Sequence, residues 1–409
     1  MVSVGKENDL LVFKGSNFLK QRLLLATLSG KPVKIINIRS FEHPPGLREY
    51  EVSLIRLLDK ITNGTRIELN ETGTGVVYEP GLLFGGTLMH DCSLQRGIGY
   101  YLDVLLALGP FCKSPLNVTL RGVTNSKESP SVDHIQSSAM PILKRFLIVD
   151  DGLSFKVLKR GMMPNGGGEV LFKCPVRKNL HTLQLQKSGM VKRIRGVVYA
   201  CRVSPALANR TVEAAKGVML KFLPDVYIHT DQSKGKSAGN SPGFGINLVA
   251  ETTDGCFYAA ETVSNLIKDG SEPSVPEELG RETAQKLLEE IFRGGCVDST
   301  FQWLVTLYMA LGQKNVAKFL TGPLSDYTIH FLQHLREFFS ITFKLENFAE
   351  EEEDDAEAHP ETAPKILMTC VDHPEVFGHP YVFGQNRRLN EPMSHVSKIF
   401  KNLFFSYFS

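Results

Sequence analysis

No two of the chain's seven cysteines form a CxxC pair, and the count is odd. That argues against a disulfide framework or a zinc ribbon and for a reducing compartment. Long apolar runs are also missing, and every candidate is interrupted well short of the ~20 residues a membrane helix needs. The N-terminal MVSVGKENDLLVF has no signal-peptide order. These absences predict a soluble protein of cytoplasm or nucleus, without a membrane partner. Charge of one sign is scarce too. The formal net charge is only +2, so any nucleic-acid binding has to come from local basic patches.

What is present is ample apolar material. Hydrophobic residues make up 42% of the 409 positions, enough for a sizeable core. The length suits two domains, or one repeat-built domain carrying an insert.

Self-similarity supports the second option. The segments 22–38, 100–122 and 303–322 each read as an apolar helix, a turn with glycine, and a strand. Each is partnered by a second helix and strand, as in 52–69, 135–161 and 329–345. The pattern predicts an α/β (α+β) fold of three βαβαββ units, each laying two helices on a small sheet.

Between about 186 and 280 the texture changes. Strand-like KRIRGVVYACRVS precedes a helical PALANRTVEAAKGVMLKFL and further strands, with the loop QSKGKSAGNSPG among them. This reads as a smaller inserted α/β domain that splits the third unit. The large domain would then comprise 1–185 and 281–370. The acidic run 349–364 reads as a solvated loop, and 371–409 as a loosely attached tail.

One stretch is specific: RGMMPNGGGEV, residues 160–170. Three glycines in a row let backbone approach a ligand or another strand closely. Together with LSGKPVKIINIRS and the following PGL, RGVTNSKESPSVDHI, GGCVDSTFQWLVTLYMAL and TGPLSDYT, it resembles the RNA 3'-terminal phosphate cyclase family over roughly 10–370. GSNFLKQR, KITNGTRIELNETGT, HDCSLQRGIGYYL and SPGFGINLVAETT are similar to its cyclase-like, ribosome-biogenesis branch. The resemblance implies three translation-initiation-factor-like repeats and a small inserted domain.

The departures from that family matter as much. Cyclases use a nucleophilic histidine after the TGP-type strand, and Tyr327 stands there in this chain. A phenol with a pKa near 10 is a poor nucleophile at neutral pH. His330 and His334 follow on a helix and would point elsewhere. The family's early Glu-Gly-Gly-Gly-Gln run is matched by Phe13–Asn17, which has no carboxylate. Arg39 keeps one of two expected arginines, Glu42 replaces the other, and Tyr50 replaces a glutamine. Trp303 and Leu304 replace an Asp-Gln pair. The resemblance therefore implies loss of nucleotidyl transfer, with no catalytic residue, cofactor or metal assigned.

Basic residues remain. Arg22, Arg39, Arg48 and Arg160, with Arg96 and Lys159, lie near element ends that this fold would gather round the old pocket. Arg195, with Lys187, Lys192 and Arg193, forms a second cluster. Together they are candidates for an anion or RNA site. Asp298, Asp326, Tyr327 and His330 are the candidate pocket residues, the two aspartates reading chiefly as caps. His90, His134 and His229 read as packing or surface residues.

The resemblance implies a scaffold of the small-subunit processome in nucleus and nucleolus, acting in 18S rRNA maturation and 40S biogenesis. Its implied partners are a ribosome-assembly GTPase and pre-rRNA. The alternative is an endoribonuclease that cuts pre-rRNA upstream of 18S.

Overall fold

A computed structural model describes residues 10–370 apart from 178, 266–271, 314 and 349–362. The expected acidic loop therefore falls almost entirely, and the expected tail entirely, outside the described residues.

The first unit runs β1 (Leu11–Lys14), α1 (Leu19–Ser29), β2 (Val33–Ile36), α2 (Glu49–Ile61), β3 (Thr62–Asn63), β4 (Arg66–Leu69) and β5 (Val76–Glu79). β3 forms a small ribbon with β6 (Leu82–Leu83). The second unit is β7 (Gly85–Asp91), α3 (Gly99–Leu108), β8 (Ser114–Gly122), α4 (Val132–His134), α5 (Met140–Leu147), β9 (Ser154–Lys159) and β10 (Gly168–Cys174). A wide turn, Ile135–Ala139, joins α4 to α5.

The third unit opens with β11 (Gln184–Leu185). The chain then leaves it for β12 (Val191–Cys201), α6 (Pro205–Met219), β13 (Val226–Ser233), β14 (Gly243–Thr252), β15 (Phe257–Val263) and α7 (Pro276–Arg293). It returns with α8 (Gln302–Ala310), β16 (Ala317–Thr321), α9 (Asp326–Phe339), β17 (Phe343–Phe348) and β18 (Lys365–Cys370).

Three sheets share one plan. Their orders are β1-β2-β5-β4, β7-β8-β10-β9 and β11-β16-β18-β17. In each, the first two strands are parallel and the remaining pairings antiparallel. This is the βαβαββ order predicted from the repeated segments.

The sequence explains the layering. α3, apart from Asp103, and α8 are largely apolar and buried along almost their whole length, whereas α2, α5 and α9 carry one apolar face. α1, α3 and α8 accordingly pack inside a single core that reaches all three sheets. Tyr308 of α8 donates its hydroxyl to Leu106 O of α3 at 2.7 Å, which ties the second unit to the third. Trp303 is 2% exposed and packs within this core.

The fourth sheet, β13-β12-β14-β15, has a separate core under α6 and α7. Ala284, Leu287 and Ile291 of α7 belong to that core. The helix therefore stays with the fourth sheet to Arg293, past the expected boundary at 280, because its apolar face has its partners there.

Helix ends follow their side chains. Gly30 takes a left-handed φ of 70° and returns its N–H to Ala26 O, closing α1. Ser325 caps α9 by accepting the Thr328 N–H, and Ser204 precedes Pro205 at the start of α6.

Two glycine substitutions test this packing in opposite directions. A Cβ on Gly99 would sit 1.8 Å from Pro130 O, so Gly99→Ala is expected to cost about 1–3 kcal/mol in urea unfolding. Gly217 lies on the exposed face of α6 with nothing within 4 Å of an added Cβ, so Gly217→Ala is expected to add about 0.5–1 kcal/mol.

Candidate functional site

The first turns of α1 and α9 face each other where the resemblance put the old pocket. Three consecutive residues of α1 build the contact. Lys20 forms an ion pair with Asp103 of α3, their side chains 13% and 4% exposed. Its ammonium also lies 4.9 Å from the Tyr100 ring centroid and 5.4 Å from that of Tyr327. Burial works against both charges, and each group is the other's main compensation. The balance holds Lys20 above its ordinary value, as a cation.

Gln21 is fully buried and bridges the two helices. Its amide donates to Tyr327 O at 2.9 Å, and its Oε1 is 2.8 Å from His334 Nδ1. Arg22, also buried, donates to Gly15 O at 3.0 Å and to His334 Nε2 at 3.4 Å. Because Arg22 can only donate, Nε2 accepts and Nδ1 carries the proton given to Gln21. Burial, with Arg22 beside it, pulls the His334 pKa down to about 4, which keeps this imidazole neutral.

Tyr327 completes the wall. Its ring meets Trp303 edge-on at 5.9 Å and Phe18 at 6.1 Å. Its hydroxyl is buried without a hydrogen-bond partner. Burial raises the phenol pKa and the Lys20 charge only partly offsets that, so Tyr327 is a weaker nucleophile than free tyrosine. The wall continues through Tyr100 to Tyr50, edge-on at 5.4 Å, and Arg96 lies 4.9 Å over Tyr50.

The other pocket candidates separate. His330 packs on Phe18 at 4.2 Å and approaches Gln333 at 3.2 Å. Asp326 is exposed in the first turn of α9. Asp298 is 1% exposed and accepts from Ser138 Oγ at 2.6 Å, with His134 Nε2 at 3.1 Å. The four do not form one acid–base group.

The five candidate arginines are each engaged inside the protein. Arg22 is described above. Arg39 grips Glu51 with two bonds of 2.7 and 2.8 Å. Arg48 pairs with Glu42 at 2.6 Å, and Arg195 with Asp225 at 2.8 Å. Both of these pairs are solvent-facing, weak and open to exchange. Arg160 is 6% exposed and holds Asp133 with two bonds, of 2.6 and 2.7 Å, while its Nε reaches Asp231 at 2.6 Å. Burial pushes the Asp133 carboxyl up, but Arg160 overrides it and holds it below its ordinary value. Arg22, Arg39 and Arg160 therefore meet carboxylates or protein acceptors, and Arg39 and Arg48 both reach Glu42, at 4.0 and 2.6 Å. The expected ring of free cations is not formed by them.

The triple glycine likewise answers to protein. Gly166 and Gly167 take left-handed φ values of 54° and 79°. Asn240 donates its backbone N–H to Gly166 O at 2.9 Å, and a Cβ on Gly167 would sit 2.9 Å from the Asn240 side chain. Of the two uses open to such a run, contact with another segment of chain is the one realised.

His134 is neither an ordinary packing residue nor a surface one. It is buried between Asp298 at 3.1 Å and Glu261 of β15 at 3.6 Å. Those carboxylates override burial and raise its pKa to about 10. Sequence reasoning also missed Lys20, Gln21, Asp103 and Tyr100. Asp103 had left a signal, a lone carboxylate in the apolar run YYLDVLLAL that demands a cation. Among the described residues, no three His, Cys, Asp or Glu side chains are grouped to hold a metal ion, and no helix is long and apolar enough to cross a membrane.

Comparison with known proteins agrees with this architecture. The family model described as RNA 3'-terminal phosphate cyclase matches residues 11–345. A Drosophila melanogaster protein named "Probable RNA 3'-terminal phosphate cyclase-like protein" is 68% identical over 91% of this chain and 97% of its own length. The Mus musculus "RNA 3'-terminal phosphate cyclase-like protein" is 57% identical over 88% of this chain and 95% of its own. The Schizosaccharomyces pombe "rRNA processing protein rcl1" is 44% identical over 81% and 91% respectively.

Two measurements test the electrostatics. A His134 pKa raised from 6.5 to about 10 contributes stability fully present below pH 6.5 and lost as pH rises toward 10. Urea unfolding of His134→Gln should therefore show a flatter decline over that range than the parent. Arg160→Ala, which strands Asp133 in the interior, is expected to lose about 3–5 kcal/mol.

Proposed function

Because this chain belongs to the RNA 3'-terminal phosphate cyclase family, we propose that it serves rRNA processing as a non-catalytic member of that family. The observation that carries this reading is Tyr327. A buried phenol, with its pKa raised, occupies the position that the resemblance assigns to the nucleophilic histidine. The cation closest to it is committed to Asp103. Nucleotidyl transfer needs a strong nucleophile and a cation beside it free to meet phosphate, and here the phenol is a weak nucleophile and the neighbouring Lys20 is paired. The name of the S. pombe relative supports rRNA processing as the setting.

In finer terms, the protein acts as a scaffold of the small-subunit processome in the nucleolus. It supports 18S rRNA maturation and 40S biogenesis and binds a ribosome-assembly GTPase. The exchangeable pairs Arg48–Glu42 and Arg195–Asp225 leave solvent-facing guanidinium groups that an RNA phosphate can take over. Asp298, the acid an RNA-cleaving reading would use, is sealed against His134 and Ser138, which disfavours that reading.

Incubation with labelled ATP is expected to leave no covalent AMP adduct on the protein, and a stable adduct would refute the non-catalytic reading. Capture of the tagged full chain from nucleolar extract is expected to recover pre-rRNA and a GTPase. Recovery of neither, or site-specific cutting of pre-rRNA by the purified chain, contradicts the scaffold role.

A further inference from the structure

β13, at the edge of the fourth sheet, carries two rings that the reading above does not use. Tyr227 and His229 alternate with Ile228 along this strand. Ile228 enters the core under α6 and α7, so both rings stand on the opposite face. Their centroids are 6.5 Å apart and their planes 23° from parallel. Rings in full face contact sit about 3.5–4 Å apart, so these two leave ring surface uncovered. Tyr227 is 62% exposed, and His229 is exposed beside it.

The rest of that face is divided. Its β14 and β15 side meets the second unit, where Asn247 donates to Ser137 Oγ at 3.3 Å and Glu261 accepts the Ser131 N–H at 2.8 Å. The stretch of β12 and β13 around Tyr227 stays open. Strand pairing puts Arg195 beside Tyr227 and Val197 beside His229. Arg193 lies on the same face, two residues before Arg195. Lys192 and Arg193 both pair with Glu251, at 2.8 and 2.6 Å, and Arg195 pairs with Asp225 at 2.8 Å. Asp231, next along β13 on this face, is taken by Arg160. Three part-exposed cations thus share two carboxylates, which leaves positive charge in excess. If Lys192 or Arg193 turns to a phosphate, Glu251 keeps the other, so the exchange strands no carboxylate.

We propose that the open face of β12 and β13 is a stacking platform for single-stranded RNA, with bases on Tyr227 and His229 and backbone phosphates on Arg195 and Arg193. Uncovered ring faces beside guanidinium groups on a sheet suit a strand whose bases are splayed out. A duplex keeps its bases stacked on one another and has none to offer the rings. The platform rests on the rRNA-processing reading above and adds to it the form of the RNA and the surface that meets it.

The test follows the fluorescence anisotropy of a labelled single-stranded RNA of about ten nucleotides as the purified full chain is added. Tyr227→Ala and Tyr227→Leu should each weaken binding about tenfold or more, and Tyr227→Phe, which keeps the ring, by less than about twofold. An abasic strand of the same length, which keeps the phosphates, should bind the parent about tenfold more weakly, and so should the same sequence as a duplex. Arg195→Ala should weaken binding to all strands alike and lower the salt slope by about one. Because Tyr227 is exposed, its variants should unfold in urea as the parent does. Equal affinity of parent and Tyr227→Leu, full affinity for the abasic strand or the duplex, or no binding by the purified chain overturns the platform. The scaffold reading survives any of these if pre-rRNA and a GTPase are still captured from extract, and falls by itself if neither is. A protein whose capture is lost with Tyr227→Ala while RNA affinity is unchanged would make this face a protein interface and overturn the platform as well.

Discussion

A carboxylate in the middle of an apolar helix has to be answered by a cation, and in this chain Asp103 of α3 is answered by Lys20 of α1. The pair joins the first repeat to the second inside the shared core, where either charge alone would be costly. The ammonium that closes the core also lies between the rings of Tyr100 and Tyr327. One side chain therefore serves both the packing of the repeats and the closure of the wall at the first turn of α9. A group needed for the core is not free to meet a phosphate.

The seam with the fourth sheet is built differently. Each of the three repeated units buries its helices in one common apolar core, but the fourth sheet has a core under α6 and α7 alone. A small apolar cluster of Met162, Tyr199 and Cys201 and a set of polar and charged contacts join the two parts. Arg160 reaches Asp133 and Asp231, His134 lies between Asp298 and Glu261, and Tyr258 reaches Gly295. Such contacts are directional, and when satisfied they specify one docking geometry. The signature arginine and the run of glycines both sit at this seam. Their contacts are those of a joint, and the Asn240 side chain packs beside Gly167.

Much of the fold was legible because repeats and helix periodicity are local. The units around 22–38, 100–122 and 303–322 each folded as read, and the change of texture near 186 marks the departure to the fourth sheet. The far limit of that excursion was misjudged because α7 carries an apolar face without saying which sheet it covers. The site was less legible. Tyr327 could be placed from its strand and turn, but the partners that decide its chemistry come from positions far off in the chain. Lys20 answers Asp103 across two repeats, and His334 answers Gln21 across three. His134 looked ordinary because nothing near it in sequence announces Asp298 or Glu261. Arginines were read as available for anions, since sequence shows a charge but not the carboxylate folded against it.

The claim on which the account stands is that the first turns of α1 and α9 close on each other and hold Lys20 against Asp103. Brief labelling of the folded protein with an amine-reactive reagent, followed by peptide mass spectrometry, tests it directly. Lys20 should remain unmodified while exposed lysines such as Lys34 and Lys144 are labelled in full. Labelling of Lys20 at the rate of those surface lysines, in protein whose unfolding transition is intact, would mean an open pocket with a free cation and would contradict the account.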